Sequence, residues 1–328
     1  LKPVGAMLHN GRYTYEYPVP EEKVPQYLRS GYRSFEVNDN NLIDLISKRF
    51  IGKGGSTDFA QAPGFSRQEI KRLDAAGVVH TNDNVIFITF DDWGGDDAIN
   101  KLLYVLRKHD APATFFIRTN NVHYNPNLLR AIAADGNEIA CHTDKHLQMT
   151  KYDSNTKKYV SIVNKDEYLL DLQGSYNTLE KVVGDVEVNG HYSLTRFFRP
   201  PTLVISKAGL ECVLDSGFDY IVEGYSTKDY TAESYLKVRY SIEKQLYRDD
   251  GSLRKGSIFV LHMGNSSAAI SAEALDFILT KNEQKSDNDP GKFKVGRLSD
   301  YLHDGYDQGN PKKSLRLEAD RKVAQQNR

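Results

Sequence analysis

The sequence predicts an α/β fold in which about seven parallel strands, each followed by a helix, wrap into a closed or nearly closed barrel. Three observations predict it. Val85-Ile86-Phe87-Ile88-Thr89-Phe90 is an unbroken β-branched and aromatic run, the pattern of a strand buried on both faces. From residue 83 onward, strand and helix patterns alternate with short connections, as in parallel strands wrapped by helices. No glycine-rich dinucleotide turn follows the first strand, which favours a barrel over an open doubly wound sheet.

Residues 1–82 read as an accessory segment packed on the barrel. Tyr13, Tyr15, Tyr17 and Val19 alternate in strand fashion until Pro18 and Pro20 interrupt, and residues 41–50 suit a short helix. Gly52, Gly54, Gly55, Ser56 and Thr57 mark a flexible connection. Ser66 and Glu69 have capping-box spacing for a helix that Gly77 would close.

The barrel is expected over 83–305. After the first strand, 96–109 carries Ile99, Leu102, Leu103 and Leu106 on one helical face. Strands are expected at 113–117, 138–142, 196–199, 220–223, 257–263 and, weakly, 293–295. Helices are expected at 127–135, 166–183 (stopped by Gly184), 206–216, 232–248, 271–283 and 299–303. Residues 306–328 form a polar, basic tail.

The apolar content of 39% and mean hydropathy of -0.56 are low, but 20 Tyr and 14 Phe supply core material. A net charge of -1 offers nothing to nucleic acid or to a membrane surface. No run approaches the ~20 apolar residues of a membrane span. The chain opens at Leu1 rather than Met, and the expectation is an upstream signal or anchor and an extracellular or cell-envelope location. Cys141 and Cys212 make no disulfide framework and read as buried thiols, with a single bridge between them as the alternative.

Chemistry in a parallel barrel gathers at the C-terminal strand ends. There the sequence places Asp91-Asp92, then Cys141-His142-Thr143-Asp144-Lys145-His146, Arg199-Pro200-Pro201, Ser226 to Tyr230, and Leu261-His262-Met263. A lone Asp-Asp would merely open a loop, because two buried carboxylates are costly without a cation or donors. His142 and His146, four apart, would share one face of a helical turn within reach of one ion. Two imidazoles and one carboxylate form a His2Asp set with positions left open, the mark of a catalytic metal site. Arg199 is the natural partner for the carboxylate left over.

These residues, in this order, resemble the polysaccharide deacetylase family, the NodB-homology carbohydrate esterases of family 4. Thr89-Phe90-Asp91-Asp92 is similar to its first motif and His142-Thr143-Asp144-Lys145-His146 to its second. Arg199-Pro200-Pro201, Asp229-Tyr230 and Leu261-His262 are similar to the remaining three. The resemblance covers about residues 84–303 and implies a distorted (β/α) barrel. It implies one divalent ion on Asp92, His142 and His146, zinc first, with cobalt, manganese, nickel or iron as alternatives. It makes Asp91 the general base and His262 the general acid, with Arg199 orienting Asp91 and Asp229 supporting from behind. Leu261 would line a pocket for the acetyl methyl, and the Thr202 N–H would meet the oxyanion. Pro200, Tyr230 and Trp93 would shape the substrate groove. Trp93, Cys141, Thr202 and Tyr230 depart from the family's usual residues, and all bear on substrate shape rather than on the catalytic groups. The implied activity is removal of N-acetyl groups from a GlcNAc-containing glycan. An O-acetyl carbohydrate esterase is the nearest alternative, since an alcohol leaving group asks less of His262. A catalytically silent glycan-binding relative is another, against which the intact set of costly charges argues.

Overall fold

A computed structural model describes residues 2–9, 13–19, 37–54 and 59–303. β1 (Lys2–His9) and β2 (Tyr13–Val19) pair as an antiparallel ribbon. Pro18 lies opposite Pro3, which a ribbon made only of edge strands tolerates. α1 (Leu42–Arg49) runs directly into β3 (Phe50–Ile51), and α2 (Arg67–Ile70) starts at the Ser66–Glu69 capping box that its spacing predicts. Gly77 does not close α2, which ends at Ile70. It turns instead with φ 68°, so close to the chain at Gly54 that a Cβ would sit 2.6 Å from the Gly54 nitrogen. Of the expected flexible connection, Gly55, Ser56 and Thr57 lie outside the described residues, as does the basic tail.

The barrel then builds in order. β4 (Val85–Asp92) leads to α3 (Asp96–Lys108), β5 (Thr114–Ile117), α4 (Pro126–Ala134) and β6 (Glu138–Cys141). A hairpin, β7 (Thr150–Asp153) and β8 (Lys158–Ser161), precedes α5 (Lys165–Val183), which stops at Gly184 as expected. A small ribbon, β9 (Glu187–Val188) and β10 (His191–Tyr192), delivers the chain to β11 (Leu194–Phe198) and α6 (Lys207–Asp215). Next come β12 (Tyr220–Val222), β13 (Tyr225–Ser226) and α7 (Tyr235–Leu246). β14 (Ile258–His262), α8 (Ala268–Glu283) and β15 (Lys294–Val295) complete the set. The expected helix at 299–303 is a 3₁₀ turn over Leu298–Asp300.

Among the described residues the main sheet has nine strands, all parallel, in the order β13-β14-β4-β5-β6-β11-β12-β3, with β15 beside β4. Its two ends belong to one stretch of chain. β12 pairs with β11, and three residues later β13 pairs with β14, so the strand divides at Glu223-Gly224 and brings the sheet back on itself. Gly224 is required at the division, because a Cβ there would lie 2.6 Å from the Ile258 carbonyl oxygen. β3 extends the β12 end, with the Glu223 N–H on the Ile51 carbonyl at 2.8 Å and the Gly54 N–H on the Gly224 carbonyl at 3.3 Å.

Alternation along each strand sorts the core into two layers. Val85, Phe87, Phe116, Ala140, Phe197, Tyr220, Val222 and Ile258 fill the interior, which Leu298, Tyr301 and Leu302 close at the N-terminal end of the strands. Ile86, Ile88, Phe90, Phe115, Ile117, Phe198, Phe259 and Leu261 face outward against the helices, in the layer that also holds Leu42, Ile46 and Phe50. Both layers are buried, so a polar interior side chain left without a partner there is costly.

Glu223 is the clearest case at the seam. It is fully buried, with one carboxylate oxygen accepting the Lys53 N–H at 2.8 Å and the other without a partner. Burial pushes its pKa from an ordinary 4.5 up to about 8, against the opposing pull of Lys53 and Arg199. The folded chain therefore holds a proton here that the unfolded chain releases. The contribution to stability is full below pH 4.5 and declines, by about 1.4 kcal/mol per pH unit at most, until the folded pKa is passed. Urea unfolding of Glu223→Gln and of the wild type should therefore diverge in the variant's favour between pH 5 and pH 8. An equal gap at the two pH values contradicts this.

Candidate active site

The interior face of the strands carries the chemistry at their C-terminal ends. Asp91 follows Phe87 and Thr89 on that face, and the parallel register sets Asp91 beside His262. Phe198 stands beside Cys141 in the β11–β6 pair, so Arg199 and His142 leave their strands as neighbours.

Arg199 is fully buried and reaches across the interior. It donates from Nη1 to Asp91 Oδ1 and to Thr89 Oγ1, each at 2.7 Å, from Nε to the Val222 carbonyl at 2.8 Å, and from Nη2 to the Glu223 carbonyl at 3.1 Å. Its guanidinium carbon stacks 3.9 Å from the centre of the Phe116 ring. Burial alone would raise the Asp91 pKa, but Arg199, with His142 and His262, outweighs it and holds the carboxyl below its ordinary range. Asp91 is thus an ionised carboxylate kept out of water.

Asp92 breaks the alternation. Its φ of 81° lets the carboxylate turn toward two imidazoles instead of continuing to the outer face. Asp92 Oδ1 lies 3.4 Å from His146 Nε2 and 3.7 Å from His142 Nε2. His142 and His146 do meet, with ring centres 5.2 Å apart, but not on a helical turn. Residues 142–148 form an irregular bend in which Thr143 and His146 have φ of 66° and 59°. The bend is held from outside. Asp171 on α5 accepts the backbone N–H groups of Asp144 and Lys145 at 2.8 and 3.0 Å, and the Thr119 hydroxyl donates to Asp144 at 2.8 Å. Sequence reasoning passed over Asp171, whose signal was a carboxylate on the apolar face of a predicted helix.

His142 Nδ1–H donates to the Arg199 carbonyl at 2.8 Å. A carbonyl can only accept, so Nδ1 carries the proton and Nε2 is the nitrogen turned toward Asp92. Burial, then the neighbouring His142, lowers the pKa of His146 and favours its neutral form. One carboxylate oxygen and two imidazole nitrogens, all within 4.8 Å of one another, are the donor set of a divalent ion. A further observation fits such an ion: Asp92 Oδ1 is buried and accepts no hydrogen bond. A cation is the partner this oxygen lacks.

His262 stands across the mouth. Its Nδ1–H donates to Asp229 Oδ1 at 2.7 Å, while Asp229 Oδ2 accepts the His262 backbone N–H and the Ser271 hydroxyl, each at 2.7 Å. Burial works to lower the His262 pKa, but Asp229, Asp91 and Asp92 together raise it. The exposed Tyr230 ring meets the His262 ring at a steep angle, with ring centres 5.0 Å apart.

Leu261 is not where the sequence reading put it. It faces the helix layer with Phe259 and Phe90 and has no exposed surface, so it lines no pocket. The side chain sharing the interior face with His262 is Val260, two residues earlier, and the period of two is the signal that could have found it. Pro200 is buried behind Arg199, and Thr202 is exposed with a left-handed φ of 62°. Trp93 is partly buried against the core. A hollow of about 760 Å³ opens at the opposite end of the barrel, lined by Asp83, Asp110, Asp135, Lys294, Arg297 and Tyr301 among others, and shares none of these groups.

Residues 79–221 match the polysaccharide deacetylase family. A chitooligosaccharide deacetylase of Rhizobium leguminosarum bv. trifolii is 40% identical over 82 residues, 25% of this chain and 37% of that one. A peptidoglycan-N-acetylglucosamine deacetylase of Bacillus cereus is 27% identical over 215 residues, 64% of this chain and 88% of that one. The chain spans only 37% and 30% of the length of the first two curated relatives it matches. A family 4 carbohydrate esterase of Bacillus subtilis shares the fold, with a TM-score of 0.55 at 21% identity over 77% of this chain and 97% of that one.

The Arg199–Asp91 pair yields a prediction that needs no substrate. Removing one member of a buried pair strands the other charge, at a typical cost of ~3–5 kcal/mol, whereas replacing both by apolar groups is often nearly neutral. Arg199→Met should therefore lower stability in urea unfolding by about that much. Adding Asp91→Leu should recover a large part of the loss. A double variant less stable than Arg199→Met contradicts the assignment.

Proposed function

We propose that this chain, whose barrel belongs to the polysaccharide deacetylase family, is a metal-dependent hydrolase that removes N-acetyl groups from a GlcNAc-containing polysaccharide or oligosaccharide. The observation that carries the reading is the orphaned Asp92 oxygen facing two imidazoles, with the ionised Asp91 and the Asp229-bound His262 on either side.

In this reading Asp92, His142 and His146 hold one divalent ion, zinc first. When bound, the ion supplies an acidified water and polarises the acetyl carbonyl. The chain's own groups do the rest. Asp91 takes the proton of the attacking water, and Arg199 keeps that carboxylate ionised and aimed. The exposed backbone at Thr202 offers an N–H to the developing oxyanion. His262 hands a proton to the departing amine, and Asp229 both fixes its tautomer and favours its charged form. The exposed Tyr230 and the partly buried Trp93 wall the approach, whereas the buried Pro200 does not. We assign residues 83–305 to the catalytic domain, 1–82 to an accessory segment and 306–328 to a tail, and place the protein outside the cell or in its envelope, where such glycans lie.

Acetate release from a panel of N- and O-acetylated glycans, with and without chelator, tests the activity and separates an amide hydrolase from an O-acetyl esterase. Asp91→Asn should keep its metal in elemental analysis while turnover falls by ~10²–10⁴-fold, because an amide cannot take the proton. Asp92→Asn and His146→Ala should lose metal, and excess metal should partly restore the former. The swapped result, Asp91→Asn rescued by metal and Asp92→Asn inactive with metal bound, sinks the assignment.

The pH dependence of kcat gives a separate check. A general acid must be protonated, so activity declines as pH rises through the pKa of His262, which Asp229 raises. Asp229→Asn should shift the alkaline limb of the profile to lower pH. An alkaline limb that stays put rules out His262 as the acid.

A further inference from the structure

Arg118 immediately follows β5 at the mouth of the barrel. Its backbone N–H donates to the Asp92 carbonyl at 3.0 Å. The next residue is tied to the histidine bend, with the Thr119 N–H on the Thr143 carbonyl at 3.2 Å and its hydroxyl on Asp144. The Arg118 main chain is therefore fixed between Asp92 and the bend that carries His142 and His146.

Its side chain has no such anchorage. Nε is buried without a partner, and among the described residues no carboxylate, carbonyl or hydroxyl accepts any of its side-chain N–H groups. Arg49, Arg107 and Arg130 each meet a carboxylate, and although Arg254 Nε and Arg297 Nη1 are also buried without a partner, both lie toward the N-terminal end of the strands, away from Asp92 and the histidines. A guanidinium cannot shed its charge, and a desolvated donor without an acceptor is costly. An unpaired cation beside a cluster fit to hold another cation gains only from an incoming anion. Asp91 and Asp92 do not meet that need, since the first is bound to Arg199 and the second faces the imidazoles.

We propose that Arg118 is a specificity-determining residue that receives an oxyanion, a carboxylate in the first place, carried by the acetylated glycan next to the group being cut. The substrates preferred by the site are then anionic glycans and not neutral N-acetylglucosamine oligomers. This rests on the deacetylase reading of the same site. The planar, forked guanidinium suits bidentate recognition of a carboxylate, and its partly exposed end leaves the fork open to an arriving ligand.

The test compares one N-acetylated glycan in three forms: bearing lactyl ether carboxylates, with those carboxylates converted to amides, and phosphorylated in their place. The wild type should favour the carboxylate form over its amide in kcat/KM. Arg118→Gln should cut that preference by about ten- to a hundredfold, mainly through KM, and Arg118→Lys should retain part of it. Calorimetric binding of the carboxylate and amide forms to Asp91→Asn protein, with and without Arg118→Gln, reads the same preference without turnover. A phosphorylated form that binds as well as the carboxylate shows that the fork takes oxyanions in general. Equal use of the carboxylate and amide forms by the wild type overturns the proposal, as does an equal loss on both in Arg118→Gln. Failure to release acetate from any form defeats the deacetylase reading itself, whereas release without charge preference defeats only the role of Arg118.

Discussion

The constraint on which the barrel and its mouth both depend is a charge that cannot be removed. Arg199 is buried, stays protonated, and must have its donors met within the interior. Satisfying it engages most of the barrel. β4 supplies Asp91 and Thr89, β5 the face of Phe116, and β12 the carbonyls of Val222 and Glu223, while Arg199 itself extends β11. Thr89 passes the network on by donating to the Phe259 carbonyl of β14 at 2.6 Å. The carbonyl of Arg199 meanwhile fixes the tautomer of His142. Fold and site are therefore one hydrogen-bonded object.

A second consequence concerns where this object ends. The family match stops at residue 221, short of Asp229 and His262. The structure nevertheless sets His262 in register with Asp91, because β14 pairs with β4 along its whole length. At the other side, β3 and Lys53 precede the matched region and hold the seam at Glu223, next to the carbonyls that Arg199 uses. The site depends on chain both before and after the segment that carries most of its motifs.

The sequence disclosed the main architecture because burial on both faces leaves a plain mark: Val85 to Phe90 can hardly be anything but a central strand. It disclosed Asp91, Asp92, His142, His146, Arg199 and His262 because charged groups ending apolar runs need a reason to be there. What it hid depends on geometry that composition does not encode. β3, β13 and the β9–β10 ribbon are two-residue pairings, too short for any period to register. The left-handed residues Asp92, Thr143 and His146 bring the cluster together through turns that no glycine announces. Leu261 was misplaced because adjacency in a motif was allowed to override the alternation of a strand. Arg118 could not have been singled out, since an arginine after a strand becomes unusual only when its surroundings are seen to lack a partner.

The same alternation has a redox consequence for Cys141. It lies between Ala140 and His142 but turns its sulfur to the helix layer, where the S–H donates to the Ser175 hydroxyl at 3.3 Å. Burial pushes its pKa up to about 12, and that of Cys212 equally to about 12. Thiolate is the form that reacts with oxidants, disulfides and soft metals, and near neutrality it amounts to about one molecule in 10⁵ at such a pKa. Neither sulfur can compete for the ion of the neighbouring cluster or cross-link the chain while the helix layer stays closed. The two thiols are thus latent markers of opening, Cys141 beneath α5 and Cys212 on α6, silent toward alkylating reagents until the layer over each one lifts.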